Sequence, residues 1–270
     1  MECGCGVVTF LGHPDTLVSG VTPPLINTPQ DRKALLERYG MDTVVELTFD
    51  ETLMRLPWQD FFKLLVERYG AAGLVCGEDF RFGNRGEGNA EKLKTACQEQ
   101  GILCEVVPQQ KLEGVPVSST CIRSLLEQGD VERANAFLAH PHSLTGTVVA
   151  GKQLGRTIGI PTANLRLPQG VVVPKFGVYI CRATVEGKSY AAVTNVGVRP
   201  TVSGRGVTVE PWLLDFEGDL YGKPLMLEFF KYLRGERKFP SLTELQEEIQ
   251  KNALETRKYF EFSLYNRENL

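Results

Sequence analysis

The period of hydrophobic and polar positions changes about halfway along the chain. Up to residue 140, short β-branched and apolar runs alternate with stretches whose apolar residues recur every three or four positions. Val7–Phe10, Thr43–Phe49, Ala72–Cys76 and Ile102–Val107 read as strands. Thr28-Pro29 reads as a cap with Pro at the first helical position, opening a helix that runs to Tyr39 and stops at Gly40. Further helices are expected over Asp60–Tyr69, Ala90–Gln100, Ser119–Gln128 and Val131–Ala139, with Gly70 and Gly101 just past two of the ends. This βαβα rhythm predicts a parallel, doubly wound sheet.

Beyond His140-Pro141-His142 the pattern becomes strand-like and turn-rich. Thr145–Val149, Val178–Val185, Tyr190–Val196, Val207–Phe216 and Pro224–Phe230 are expected strands, parted by turns such as Glu186-Gly187 and Glu217-Gly218. Short antiparallel strands that must satisfy their edges predict a small barrel of five or six strands. Ser241–Phe260 has helical period and opens with Ser241-Leu242-Thr243-Glu244, a capping-box pattern. The expected organisation is an α/β domain over 1–140 and a β-barrel domain with a C-terminal helix over 143–270.

Composition adds exclusions. A chain of 270 residues suits two domains. Its 30 Lys and Arg against 33 Asp and Glu give no general electrostatic case for nucleic acid or an anionic membrane surface. No apolar run approaches the roughly 18 residues of a membrane span. The start, Met1-Glu2-Cys3-Gly4-Cys5-Gly6, has neither a basic region nor a long apolar stretch, so no secretory signal is expected. The seven cysteines are odd in number and none has C-x-x-C spacing. Cys3 and Cys5 are a potential metal pair without a second ligand pair nearby in sequence. Reduced thiols in a cytoplasmic protein are the expectation.

Phosphoryl transfer needs a phosphate cradle, a magnesium anchor and a group that orients the acceptor hydroxyl. Gly151-Lys152-Gln153-Leu154-Gly155-Arg156-Thr157-Ile158-Gly159 supplies three glycines and two cations. Glycines let backbone approach phosphate oxygens, although a glycine-rich β-turn has the same composition. The overlapping Gly146–Gln153 run nearly fits a P-loop. It ends in Gln153, without the magnesium-binding hydroxyl, and its interior is that of a strand, so the P-loop reading fails. Pro161-Thr162-Ala163-Asn164 offers a hydroxyl and an amide carbonyl, both hard donors for magnesium. A capped turn would use the same residues. Glu210 lies in an apolar strand, where a carboxylate is costly without a task or a partner. It is the candidate base, with a barrel-end ion pair as the alternative.

Together these runs are recognisable. G-x-x-x-G-R-x-x-G-x-P-T-A-N, N-x-G-x-R-P-T, V-E-x-x-L-L-D-F, G-D-L-Y-G and L-R-x-E-x-K-F-x-S-L occur in order between Gly151 and Leu242. Over Ser143 to Phe260 the chain closely resembles the riboflavin kinase domain of bacterial bifunctional riboflavin kinase/FAD synthetases. The resemblance implies a Greek-key type barrel that moves the ATP γ-phosphate to the ribityl 5′-hydroxyl of riboflavin. It implies Thr162 and Asn164 as magnesium and nucleotide ligands, and Gly151, Gly155 and Arg156 in the phosphate loop. Glu210 becomes the catalytic base, with Arg234, Glu236 and Phe239 in the segment closing over the flavin. Trp212 departs from the pattern, where the family commonly has His.

The resemblance extends upstream. Val8-Thr9-Phe10-Leu11-Gly12-His13-Pro14 is similar to the family's T-F-D-P-H-P strand end, and Gly77–Gly83 to its G-x-D-F-R-F-G flavin-side loop. That implies flavin contacts from Asp79, Phe80, Arg81 and Phe82. Val117–Arg123 is similar to an I-S-S-T-x-I-R motif. Hydroxyls and N–H groups at a helix start form an anion site, which implies ATP contacts from Ser118, Ser119, Thr120 and Arg123. Plain capping by Ser118 and core packing of the phenylalanines remain open. Such nucleotidyltransferase domains open with G-x-F-D-G-V-H-x-G-H, and no such run occurs in this sequence. The expected fold is therefore a truncated Rossmann-like nucleotidyltransferase domain lacking its first βα unit, followed by the kinase barrel. Without a central strand the sheet should expose apolar edge or rearrange. The implied substrates are riboflavin, FMN and ATP, with Mg2+. A kinase-only enzyme with a degenerate first domain and a non-catalytic flavin or nucleotide regulator are the alternatives.

Overall fold

The computed structural model describes residues 3–151, 155, 159–201 and 204–268. Its contacts divide the chain into two compact units, Met1–Pro23 with Pro29–Val117, and Pro24–Thr28 with Ser118–Leu270.

The first unit runs β1 (Gly6–Leu11), α1 (Pro14–Val18), α2 (Pro29–Arg38), β2 (Thr43–Thr48), α3 (Glu51–Met54) and α4 (Trp58–Lys63), which continues as a π-turn over Leu64–Arg68. After these come β3 (Gly73–Gly77), β4 (Arg81–Phe82), β5 (Gly88–Asn89), α5 (Ala90–Glu99), β6 (Leu103–Val107), β7 (Lys111–Leu112) and β8 (Val115–Pro116). Local chemistry fixes several ends. Asp50 caps α3 by accepting the Leu53 N–H at 2.9 Å, and Asn89 caps α5 by accepting that of Lys92 at 2.9 Å.

The parallel sheet expected here is not continuous. β1 pairs with β2, with Val8 opposite Val45, and β3 pairs with β6, with Leu74 opposite Cys104. Among the described residues no ladder joins the two pairs. Both pairs lean on one core of Phe61, Phe62, Leu65, Phe82, Leu93, Ala96 and Cys97, against which Val8, Leu47, Leu74, Cys76 and Cys104 pack. The other face of β3–β6 is open, with Val75 69% and Leu103 80% exposed. The uncovered side chains lie on a face as well as along strands with only one neighbour.

The second unit opens with α6 (Ser119–Gln128) and α7 (Val131–Leu138). The strands β9 (His142–Val149), β10 (Asn164–Arg166), β11 (Gly177–Val185), β12 (Lys188–Thr201), β13 (Gly204–Leu213) and β14 (Pro224–Arg234) follow, then α8 (Leu242–Glu268). The six strands close into an antiparallel barrel in the order β10-β13-β12-β11-β14-β9, with Leu165 opposite Val148 sealing the last seam. Tyr179, Ile180, Leu225, Leu227 and Phe229 are fully buried within it.

Helix α7 is pinned to the barrel by Asn135. Its Nδ2 donates to the Phe229 carbonyl at 2.8 Å, and its Oδ1 accepts the His142 N–H at 2.7 Å. Helix α8 buries Ala253 against Val178, Val193 and Leu214, with Trp212 packed alongside. The Arg257 guanidinium grips the Asp215 carboxylate with both nitrogens, which holds that carboxyl below its usual range. A short upstream strap belongs to this unit too. Leu25 donates to the Gly170 carbonyl at 2.7 Å and accepts the Val172 N–H at 2.8 Å.

Candidate functional site

The barrel seam between β10 and β13 gathers the candidate kinase residues. Asn164 opens β10, and the next residue, Leu165, pairs with Val209 on β13. Glu210 follows Val209, half-buried and opposite Asn195 of β12. The N–H of Ala163 donates to the Pro211 carbonyl at 2.9 Å. The Ala163–Leu165 stretch thus meets the residues on either side of Glu210. Ala163 is buried, so this turn is seated against the barrel with Thr162 and Asn164 only partly covered.

The glycines of the preceding loop have a steric reason. A Cβ on Gly151 would collide with the Asn164 carboxamide, and one on Gly155 with the Ile160 carbonyl. Gly155 also accepts the Ile160 N–H at 2.8 Å, which closes the loop just ahead of Pro161. Arg156 lies outside the described residues. One cleft here is lined by Val148, Pro161–Ala163, Phe216 and Gly218–Tyr221. A second is lined by Val149–Gly151, Asn164–Arg166 and Val207–Val209. Thr162 therefore faces the first and Asn164 the second.

Asp219, Leu220 and Tyr221 line the Thr162 cleft although none was a site candidate from sequence. Their signal was the Gly218-Asp219-Leu220-Tyr221-Gly222 run itself. Asp219 Oδ1 accepts the Tyr221 N–H at 3.0 Å, which sets the turn.

The segment after β14 is organised by α8. Arg234 Nε donates to Asn252 Oδ1 at 3.2 Å and lies 3.3 Å from Glu248 Oε1, while Arg237 pairs with Glu248 Oε2 at 2.7 Å. Both guanidiniums stand over the Phe239 ring, at 5.5 and 4.6 Å from its centroid. Burial lowers the Arg234 pKa from its ordinary value, and Glu248 works against that. The Glu236 carboxylate fills the space a side chain at Gly197 would need. Trp212 is occupied in packing under α8.

The candidate residues upstream of the barrel separate into kinds. Phe82 is core, 6% exposed and stacked on Phe80 at 5.1 Å. Asp79 and Arg81 are exposed, and Phe80 is half-buried. Gly83 ends this loop with a positive φ of 74°, and a Cβ there would fall 2.5 Å from Trp58 Cα. Ser118 caps α6 by accepting the Cys121 N–H at 3.2 Å, with Ser119 and Thr120 exposed in the first turn. Arg123 donates from Nε to the Pro24 carbonyl at 2.7 Å.

Among the described residues no group of three or more His, Cys, Asp or Glu is placed to hold a metal ion. The oxygens that Thr162 and Asn164 themselves offer a cation are neutral, and nucleotide phosphates and waters would complete its shell. That donor set suits magnesium, which keeps few protein ligands. Among the described residues no helix is long and apolar enough to cross a membrane.

Comparison with known proteins agrees with this division. A family model described as riboflavin kinase matches residues 138–260, and one described as FAD synthetase matches residues 1–121. The bifunctional riboflavin kinase/FMN adenylyltransferase of Bacillus subtilis is 33% identical over 94% of this chain and 82% of its own length. That of Pseudomonas fluorescens is 36% identical over 90% of this chain and 78% of its own. The solved structure of a macrolide-efflux protein from Streptococcus pneumoniae superposes with a TM-score of 0.85 and 31% identity, covering 94% of this chain and 83% of that one.

Proposed function

The chain belongs to the bifunctional riboflavin kinase/FMN adenylyltransferase family and is a riboflavin kinase of flavin cofactor biosynthesis, and from this premise we propose which residues carry the reaction. The substrates are riboflavin and ATP, and the products FMN and ADP. Glu210 is the base. Its carboxylate accepts the proton of the ribityl 5′-hydroxyl as that oxygen attacks the γ-phosphorus, and ADP leaves. The observation that carries this reading is the Ala163 N–H bond to Pro211, which ties the Thr162–Asn164 anchor to the residue beside Glu210. Thr162 and Asn164, which face the two clefts flanking Ala163, would hold the Mg2+–nucleotide pair between them, the ion offsetting phosphate charge. Gly151 and Gly155 allow backbone to approach the phosphates, with Arg156 as a counter-charge. Arg234, Glu236 and Phe239 bound the flavin.

For domains, we assign nucleotidyltransferase-like structure through residue 140 and the kinase to 143–270, with α6 and α7 packed on the barrel side. We assign FMN adenylylation to FAD to the first domain, over which the FAD synthetase family model matches residues 1–121. Asp79, Phe80 and Arg81 keep the flavin side, and Ser118–Thr120 an anion-binding helix start. The seven free cysteines suit a reducing cytoplasm.

The test incubates the chain with riboflavin, ATP and Mg2+ and separates FMN from FAD. FMN is the expected first product, and failure to form it would overturn the kinase assignment. Glu210→Gln should cut FMN formation by about 10²–10⁴-fold while ATP binding persists. Near-normal turnover would remove Glu210 from its role.

A further inference from the structure

One motif is left over once the flavin chemistry is assigned, the Cys3-Gly4-Cys5 run ahead of β1. It is strapped to the turn between α2 and β2. The Cys5 N–H donates to Asp42 Oδ2 at 2.7 Å, and the Cys5 carbonyl accepts the N–H groups of Asp42 at 2.8 Å and Thr43 at 3.3 Å. Met41 is held on the other side by its N–H bond to the Leu36 carbonyl at 3.1 Å. These bonds bring the Cys5 thiol within 3.6 Å of the Met41 thioether. Cys3 and Cys5 are free and exposed, and Met41 is half-buried.

We propose that Cys3, Cys5 and Met41 form a binding site for a soft monovalent metal ion, Cu(I), apart from the phosphoryl-transfer site. The two sulfurs are already at a bridging separation. An ion holding both at the roughly 2.3 Å of a zinc–thiolate bond would subtend about 100° between them. Cys3, one residue removed from Cys5 across a glycine, supplies the third donor. Two thiolates and a thioether make a set of soft ligands, which select Cu(I) over the hard cations that ATP brings. A thioether adds nothing for magnesium, which takes oxygen. The thiols must lose their protons to bind, so loading releases protons and strengthens with rising pH. Because Cys5 and Met41 are fixed by backbone bonds, the ion does not have to order the site. It closes one open ligand position from Cys3.

The test titrates the whole chain with Cu(I), under anaerobic reducing conditions, against a chromophoric Cu(I) chelator, and measures X-ray absorption of the loaded protein. One ion per chain in a shell of three sulfurs is expected. The double variant Cys3→Ser/Cys5→Ser removes two direct ligands, so its affinity should fall by more than the roughly 10–100-fold typical of losing an outer-shell partner. Met41→Leu keeps the volume, and should weaken binding by about 10-fold and reduce the shell to two sulfurs. Far-UV circular dichroism and FMN formation, both unchanged, show that the variants fold. Cu(I) held as tightly by the double variant as by the native chain would overturn the site, since the ion would then sit on the other cysteines. An unaltered shell and affinity in Met41→Leu would overturn the thioether's part.

Discussion

In β11 seven of nine residues are buried, and in β1, β2, β3 and β6 none is. Both halves of the chain have comparable apolar, β-branched strands. What separates them is neighbours. Every barrel strand bonds a partner on each side, so closure removes edges and encloses one face of all six. Among the described residues each parallel strand has one partner, and the unit's core is built by side chains from α4, the π-turn, β4 and α5 instead. Burial therefore follows topology more than composition. The comparison also explains why the phosphoryl-transfer candidates lie on barrel strands and their seam, since a closed ladder fixes register and holds Asn164 and Glu210 in place.

The largest expected effect breaks the barrel from inside. Phe229 is fully buried, with Tyr179 at 5.4 Å and His142 at 5.8 Å between ring centroids. Phe229→Ala should cost about 3–5 kcal/mol in denaturant unfolding and abolish FMN formation through loss of the fold. Next comes acid. Burial, with a smaller push from His140, lowers the pKa of His142 from 6.5 to about 3. Unfolded chains take up that proton below about 6.5 while the folded ring refuses it until about 3, so stability falls with pH across this window. The full loss is on the order of 5 kcal/mol, and His142→Leu should flatten the slope seen in urea titrations at stepped pH.

Amide exchange offers a finer contrast. β1 and β3 amides should exchange faster than those of β11 and β12, and equal protection would refute the difference in neighbours. The smallest effect is on the open face. Leu103→Ser should change unfolding free energy by no more than about 0.5 kcal/mol, because the side chain is 80% exposed. A cost as large as that of Phe229→Ala would mean that face is covered.

Most elements were legible in the sequence because their signals are local. The helix starts at Thr28-Pro29, Ser118 and Ser241 and the period of α5, α6 and α7 all act within a few residues. The short α1, α3, β4, β5, β7 and β8 were not read from the sequence, and three further features escaped it. β10 is three residues long and coincides with Asn164-Leu165-Arg166, so its strand identity comes only from β9 and β13 on either side. β9 starts at His142, not Thr145, because two polar residues are buried there by α7 and β14, which no alternation rule foresees. The Asp60–Tyr69 helix changes to a π-turn after Lys63, where tertiary packing overrides period. At the site, the Thr162, Asn164 and Glu210 reading came from motif order. Their approach through Pro211 needed the fold. Phe82 belongs to the core because Trp58, Phe61 and Phe80 surround it, which aromatic spacing alone does not reveal.

The strap at Pro24–Thr28 has a consequence for the order in which a ribosome makes the molecule. These residues leave the exit tunnel early, yet Arg123, whose side chain grips the Pro24 carbonyl, is 99 positions later. Gly170 and Val172 come later still. The barrel unit is thus completed by a piece translated before almost everything else in it. A gene fragment cut cleanly at residue 118 would encode every barrel strand and still leave the Gly170 carbonyl, the Val172 N–H and the Arg123 guanidinium without these partners.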